Sequence, residues 1–424
     1  MILSGIAFYL HSNRKTLLSD YEILQLVEKY NKEFDGKIKG IDLISICVEE
    51  KILYDIEGQY EFINKQSLAF FIARYIRDQY LNDDRNVDKE IDYLLNNLCF
   101  GINSEIYLFV VYFLGYKLLL RVDDFANELM NDWTEFSFSE KNLFYLYKKN
   151  IGLEIDMPKG NEKKESERVK HKIEEKSDTS YVLDYSNIYD YDEAAVNDYV
   201  YKMTKALKYL ELLARGLPIY YAKIGTDYKN LIIDSLYSKT NKLIYMILKP
   251  LDHDFENIVE ELMNVAKENG LNLDKDELSL MMIQISLTMV YSIYFNLASL
   301  VTNKKTIVLL NTYLSKNKST VDSNLKDKGL DDCYLLFNLI MRETRGDSIR
   351  LLEKSNKLYD KTQDINLKYL IKLVLRNHII NHPNMEISLK DRMIEKYFSY
   401  KKRFFIENER SKLLVLSKQR EKSI

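Results

Sequence analysis

His378 and His382 stand four residues apart, the interval that puts two imidazoles on one helix face, as in zinc sites of the HExxH type. Ile379 occupies the place where that motif needs glutamate, and Pro383 follows at once. The pair is therefore expected as surface histidines at a helix terminus. His11 adjoins an apolar helix without an evident partner, and His253, between Asp252 and Asp254, suits the capping turn of a helix start. Carboxylates pair at Asp83-Asp84, Asp123-Asp124 and Asp331-Asp332. Neighbours on a helix point in different directions, so each pair is expected in a solvated loop or cap rather than as facing acids. Gly36-Lys37-Ile38-Lys39-Gly40 has the lysines of a phosphate loop but neither its spacing nor its hydroxyl. No GxGxxG, GxSxG or cysteine–histidine signature can be assembled. Cys47, Cys99 and Cys333 lie in apolar segments without CxxC spacing, the pattern of buried free thiols in a reducing compartment. The expected inventory is thus no catalytic residue, no cofactor and no metal ligand, in a chain that is not an enzyme.

The elements that would position any site are helical. Four prolines and thirteen glycines in 424 residues favour long helices over many tight turns, and 46% hydrophobic residues suffice for a large core. Lysine plus arginine (61) nearly balance aspartate plus glutamate (64), so no large net field draws in nucleic acid or an acidic membrane. Met1-Ile2-Leu3-Ser4-Gly5 has no basic leader, and a short apolar helix runs to about Leu10. Ser19-Asp20-Tyr21-Glu22 reads as a capping box opening a second helix, and a third spans about 41–50. Residues 51–56 and 59–63 flank Glu57-Gly58 as a hairpin, followed by a helix from Gln66 to about Leu81. Three helices and a hairpin are the order of a winged helix.

Beyond Asp88 apolar residues recur at three and four, with Glu105 to Val122 one strongly apolar case. The mixed-charge stretch 158–180 cannot bury a face and reads as a linker or insertion. Pro218, Pro250 and Gly270 punctuate the later helices, Asp254 and Ser388 are expected caps, and Asp274 to Glu277 a second capping-box-like start. The division expected is a winged-helix-like domain over 1–82, a helical region over 83–157, the charged segment 158–180 and a helical-repeat-like domain over 181–424, stacked in armadillo or TPR fashion. Leu278 to Asn303 carries no charge and is long enough to span a bilayer. Its polar stripe, Gln284, Thr288, Ser292, Asn296, Ser299 and Asn303, argues for a helix inside a soluble stack, where neighbours pair those groups. Aromatic residues run into basic ones in Tyr397 to Phe404, which an amphipathic helix explains equally well.

The run Tyr60 to Ile76, after Ile52-Leu53-Tyr54, resembles the end of the winged-helix region of NACHT-like STAND NTPases, where a strand of the form "y.F" leads into a helix of the form "fF.A.yl". Ile6 to Leu10 and Ser19 to Ile23 look like the helices before that hairpin. Asn64 departs from the family, in which many members carry a basic residue there. The resemblance covers about residues 1–120. It implies an NTPase core upstream of Met1, a helical sensor region, and service in antiphage defence. The expectation is a cytoplasmic regulatory module binding a protein ligand of phage origin, with an NTPase as partner and without nucleic acid or membrane. A freestanding helical scaffold is the alternative. An enzyme would need a deep pocket gathering His, Asp and Glu, and a DNA-binding regulator more positive charge in residues 1–82, where acids slightly outnumber bases.

Overall fold

The computed structural model describes residues 1–82, 86–138, 198–270, 273–317, 328–382 and 384–398. The chain is mainly helical, with sixteen helices and three short strands among the described residues. The charged stretch 158–180 and the tail beyond Phe398 lie outside them.

The first unit runs α1 (Ile2–Ser12), β1 (Leu18–Ser19), α2 (Asp20–Phe34), α3 (Gly40–Glu49), β2 (Leu53–Ile56), β3 (Gln59–Phe62) and α4 (Lys65–Leu81). The Ser19–Glu22 capping box opens α2: Ser19 Oγ accepts the Glu22 amide, and Glu22 accepts the Ser19 amide at 3.0 Å. The hairpin has Leu53 opposite Phe62 and Ile56 opposite Gln59. Both turn residues take positive φ, Glu57 at 54° and Gly58 at 82°, which matches the twist of the strands. The Asp55 carboxylate accepts the Gly58 amide at 2.9 Å and closes the turn. Leu53, Tyr60 and Phe62 bury one side of the sheet. β1 was not foreseen: two residues add a third strand, paired antiparallel to β3, giving the order β1-β3-β2. Asn64, the position departing from the family pattern, caps α4 by accepting the Ser67 amide at 2.6 Å.

Beyond it follow α5 (Asn86–Asn96), α6 (Asn103–Leu114), α7 (Lys117–Met130), α8 (Asp198–Tyr220), α9 (Thr226–His253), α10 (Phe255–Glu268), α11 (Lys275–Val301), α12 (Lys304–Asn317), α13 (Lys328–Thr344), α14 (Ser348–Lys361), α15 (Ile365–Asn381) and α16 (Ile387–Tyr397). One apolar core passes through them: α4 packs on α1 and α6, α8 on α6, α7, α9 and α11, α11 on α13 and α15, and α16 on α14 and α15. The stretch expected as one apolar case at 105–122 is two helices, because Gly115 takes φ 106°, outside helical space. Pro250 does not stop its helix, since α9 continues to His253. Asp254 precedes α10 without a side-chain cap bond. Ser388 is not the cap of α16: Glu386 holds that place, and the Ser388 hydroxyl donates to its carboxylate. The Asp274–Glu277 capping box forms at the start of α11.

Tyrosines fasten the helices. Backbone carbonyls in the last turn of a helix have no intrahelical donor. In α5 those of Leu95 and Asn96 receive the Tyr209 and Tyr201 hydroxyls, at 3.1 and 3.0 Å. In α6 that of Tyr112 receives Tyr220 at 2.8 Å, and that of Val111, which also accepts the Gly115 amide, lies 2.5 Å from the same hydroxyl. Three tyrosines of α8 thus satisfy two helix ends.

Helix α11 is long and apolar enough to cross a membrane by length and composition, with 44% of its most apolar window buried. The hydroxyls of its polar stripe do not seek neighbours. Thr288 and Ser292 donate to carbonyls one turn back on the same helix, at 2.7 and 2.8 Å. Asn296 does reach across, to Glu211 of α8 at 2.9 Å. Contacts on the opposite face tie α11 into the array: Tyr294 donates to Asn241 of α9 and Tyr291 to Glu343 of α13.

Candidate functional site

His378 is not a surface residue; it is fully buried in α15. Its Nε2 lies 2.8 Å from the hydroxyl of Ser348, the first residue of α14, and its ring centre 4.4 Å from that of His382. Burial first, then the neighbouring His382, pushes its pKa down to about 4. Beside it Glu343 of α13, only 1% exposed, accepts the Tyr291 hydroxyl through both oxygens, at 2.8 and 2.9 Å. Burial pushes this carboxyl up to about 8, against the lowering effect of the tyrosine bond. Arg342, also buried, pairs with Asp347 at 3.4 Å. Gly346, at φ 70°, makes the turn: a Cβ there would meet the His382 ring at 2.9 Å.

A second polar node joins α7 to α9. Asp123, expected in a solvated loop or cap, is 5% exposed in the middle of α7. Lys239 donates to its Oδ1 at 2.5 Å, Ser235 donates to the same oxygen, and Lys239 also reaches the Ser235 hydroxyl. Burial pulls the Lys239 ammonium below its usual pKa, and the Asp123 carboxylate opposes that. A hydroxyl beside an amine at i and i+4 is the grouping of a lysine-activated serine nucleophile. All three groups are buried, and the lysine is engaged by a carboxylate, so the node ties α7 to α9. The signal in sequence was a lysine placed among Ile232, Ile233, Leu236, Leu243 and Ile244, all buried core residues of the same helix.

The other residues singled out are dispersed. His11 is buried, with Nε2 3.4 Å from Glu90 of α5, so it does have a partner. His253 is exposed at the last position of α9, Asp124 is exposed, and Asp332 lies in α13. Asp83-Asp84 falls outside the described residues. The three cysteines are free thiols, Cys47 and Cys333 buried and Cys99 half-buried, with burial pushing the Cys99 thiol up to about 11. No three metal-ligating side chains gather among the described residues. An open hollow of about 560 Å³ lies over α2, lined by Gln25, Glu28, Lys29, Lys32 and Glu33.

The surface offers a different kind of site. Helix α3 buries Gly40, Ile44 and Cys47 and turns Ile41, Asp42, Ser45, Ile46 and Glu49 outward. Ile41 is 70% exposed and Ile46 55%. From Gly40 to Glu50 there is no basic residue. The outward face of the helix is therefore apolar and acidic, with the exposed Lys37 and Lys39 just ahead of it, chemistry that suits another protein. The sequence reading missed this face, although its spacing of aliphatic and acidic residues was visible. Comparison with protein-family models, with curated proteins and with solved structures finds no match.

Proposed function

We propose that the chain is a non-catalytic regulatory and sensing module that recognises a protein ligand in the cytoplasm. The observation that carries this is the outward face of α3. The element order α1-β1-α2-α3-β2-β3-α4, with sheet order β1-β3-β2, fits a winged helix, in which α2 and α3 would form the helix-turn-helix. DNA-binding members of that class set the second helix of the motif into the major groove and draw affinity from phosphate neutralisation. Here that helix presents Ile41 and Ile46 beside Asp42 and Glu49. Such a surface favours protein over nucleic acid.

The similarity of residues 1–120 to NACHT-like STAND NTPases supports the finer reading, with an NTPase as the partner served and a phage protein as the ligand class. The helices after α4 then act as an armadillo- or TPR-like stack, whose length supplies recognition surface. The deepest polar nodes, Asp123–Lys239 and Glu343–His378, are enclosed and internally bonded, which suits support rather than turnover.

The test is affinity capture, with the full chain as bait, from cells expressing the neighbouring gene product, with and without phage lysate. The expected result is a protein partner retained by the wild type and lost by Ile41→Ser/Ile46→Ser, and no DNA retained by either. Salt-sensitive DNA binding, or capture indifferent to the two isoleucines, would overturn the proposal. Recovery of a partner without an NTPase would favour a freestanding scaffold over a STAND module.

A further inference from the structure

We infer that the surface formed by the α6–α7 turn and the α8–α9 loop is a second docking site, and that its partner is an acidic, apolar-rich segment of another protein. The inference does not depend on the α3 face. Tyr112, near the end of α6, is 62% exposed, and Tyr228, in the first turn of α9, is 45% exposed. Two contacts bring these helix ends together. Tyr220, the last residue of α8, donates its hydroxyl to the Tyr112 carbonyl at 2.8 Å, and the Tyr116 and Tyr228 ring centres lie 6.3 Å apart. The loop between α8 and α9 is anchored: Ile224 is buried, and its amide and that of Lys223 both bond the Tyr220 carbonyl, at 3.0 and 2.8 Å. Tyrosines displayed on a fixed backbone give large amphipathic contact area at small entropic cost, and they are enriched where proteins meet.

Charge selects the partner. Lys117 and Lys223 are exposed, and the Lys229 ammonium lies 4.2 Å from the centre of the Tyr221 ring. Other surface lysines are met by acids, as Lys275 by Glu260 and Lys396 by Asp360. Lys117, Lys223 and Lys229 have no carboxylate partner among the described residues, and the only acid within 112–117 and 220–231 is Asp227. A carboxylate-bearing partner supplies the missing counter-charges, and its apolar side chains cover the tyrosines. Single-stranded nucleic acid fits less well, because it needs open aromatic faces and a track of phosphate contacts. Here Lys229 covers Tyr221, and Leu231, 45% exposed one turn after Tyr228, adds aliphatic surface.

Fluorescence anisotropy on the full chain tests this with three fluorescein-labelled probes: a peptide alternating glutamate with leucine and phenylalanine, the same peptide with lysine for glutamate, and oligo(dT). Binding of the acidic peptide alone is expected, weakening with added salt. Tyr112→Ser/Tyr228→Ser should weaken it about tenfold or more. Both side chains are exposed, so melting followed by circular dichroism should stay at the wild-type value. Lys117→Glu/Lys223→Glu should abolish binding of the acidic peptide and create binding of the lysine peptide, a gain that a misfolded chain cannot show. Ile41→Ser/Ile46→Ser should leave the acidic peptide bound as in wild type, so the two surfaces are read separately. No acidic peptide bound at about 100 μM, equal binding of both peptides, or binding indifferent to the tyrosine and lysine pairs overturns the inference. Oligo(dT) bound in place of the peptide and lost in the same variants assigns the surface to nucleic acid and overturns it as well. If the acidic peptide is lost only in the isoleucine variant, the contact belongs to α3; the sensing role then stands and this inference falls.

Discussion

The two buried polar nodes solve the same problem in opposite ways. Between α7 and α9 an amine and a carboxyl lie against each other, Lys239 on Asp123 at 2.5 Å with Ser235 on the same oxygen, and the carboxylate opposes the lowering of the Lys239 pKa by burial. Between α11, α13 and α15 burial favours neutral forms instead, pushing the Glu343 carboxyl up to about 8 and His378 down to about 4. A charge pair stays sound only while both members are present, whereas neutral groups tolerate isosteric replacement but respond to pH. The difference teaches that burial of a titratable side chain is not in itself a sign of chemistry. What matters is whether a third party can reach it, and in both nodes the partners are helices of the same core.

The largest effect is expected at the charged node. Asp123→Ala leaves the Lys239 ammonium buried without a counter-charge, and a loss of roughly 3–5 kcal/mol is expected in urea unfolding. The double change Asp123→Leu/Lys239→Met removes both charges and should recover most of that loss. A double variant no more stable than Asp123→Ala would show that the pair is not what carries the cost.

Next in size is Glu343→Gln, a stand-in for the protonated acid. The folded pKa of Glu343, about 8, lies above the ordinary 4.5, so its contribution is fully present below about 4.5 and is lost as pH rises through 8. The variant should match wild type near pH 5 and exceed it near pH 8.5, by on the order of 2 kcal/mol. Equal melting temperatures of the two proteins at pH 8.5 would break the contrast, because Glu343 would then ionise at no cost.

How much of this was legible beforehand depends on the range over which each signal acts. Both capping boxes, Ser19–Glu22 and Asp274–Glu277, and the Glu57-Gly58 turn are set by residues within a few positions, and they formed where the sequence placed them. Strand β1 is two residues long and exists only because β3 lies beside it some 40 residues later, so no local pattern marks it. The break at Gly115 was hidden because one glycine inside an apolar run does not reveal its φ. Asp123 finds Lys239 across 116 residues, and His378 becomes a core residue because α14 begins at Ser348 beside it. The surface of α3 was readable in part: its aliphatic and acidic spacing is local, but its exposure is fixed by how α2 and β2 cover the other side.

His378 moves the other way with pH. Its folded pKa, about 4, lies below the ordinary 6.5, so its contribution is present above 6.5 and is lost as pH falls toward 4. Between 4.5 and 6.5 the slopes of His378 and Glu343 oppose each other. Relative to wild type, His378→Gln should therefore gain stability as pH drops through this interval, by about 1–2 kcal/mol. Combined with Glu343→Gln, the slope assigned to the pair should vanish. Parallel stability curves for His378→Gln and wild type from pH 4 to 7 would remove the imidazole from the account and leave Glu343 as the pH-responsive group of its node.

The smallest change separates the nodes by their hydroxyls. Ser235 donates to a carboxylate oxygen that Lys239 also holds, so Ser235→Ala removes one of several bonds and should cost about 1 kcal/mol. Tyr291→Phe removes the hydroxyl that both Glu343 oxygens share. Without that donor the ionised carboxylate is worse off than the neutral acid, since the bond had been lowering the Glu343 pKa. The cost of Tyr291→Phe should accordingly grow from pH 6 to pH 9, while that of Ser235→Ala stays level. Chemical denaturation at three pH values reads the difference, and two level curves would mean that Glu343 stays protonated throughout and that its node is no more pH-sensitive than the salt bridge.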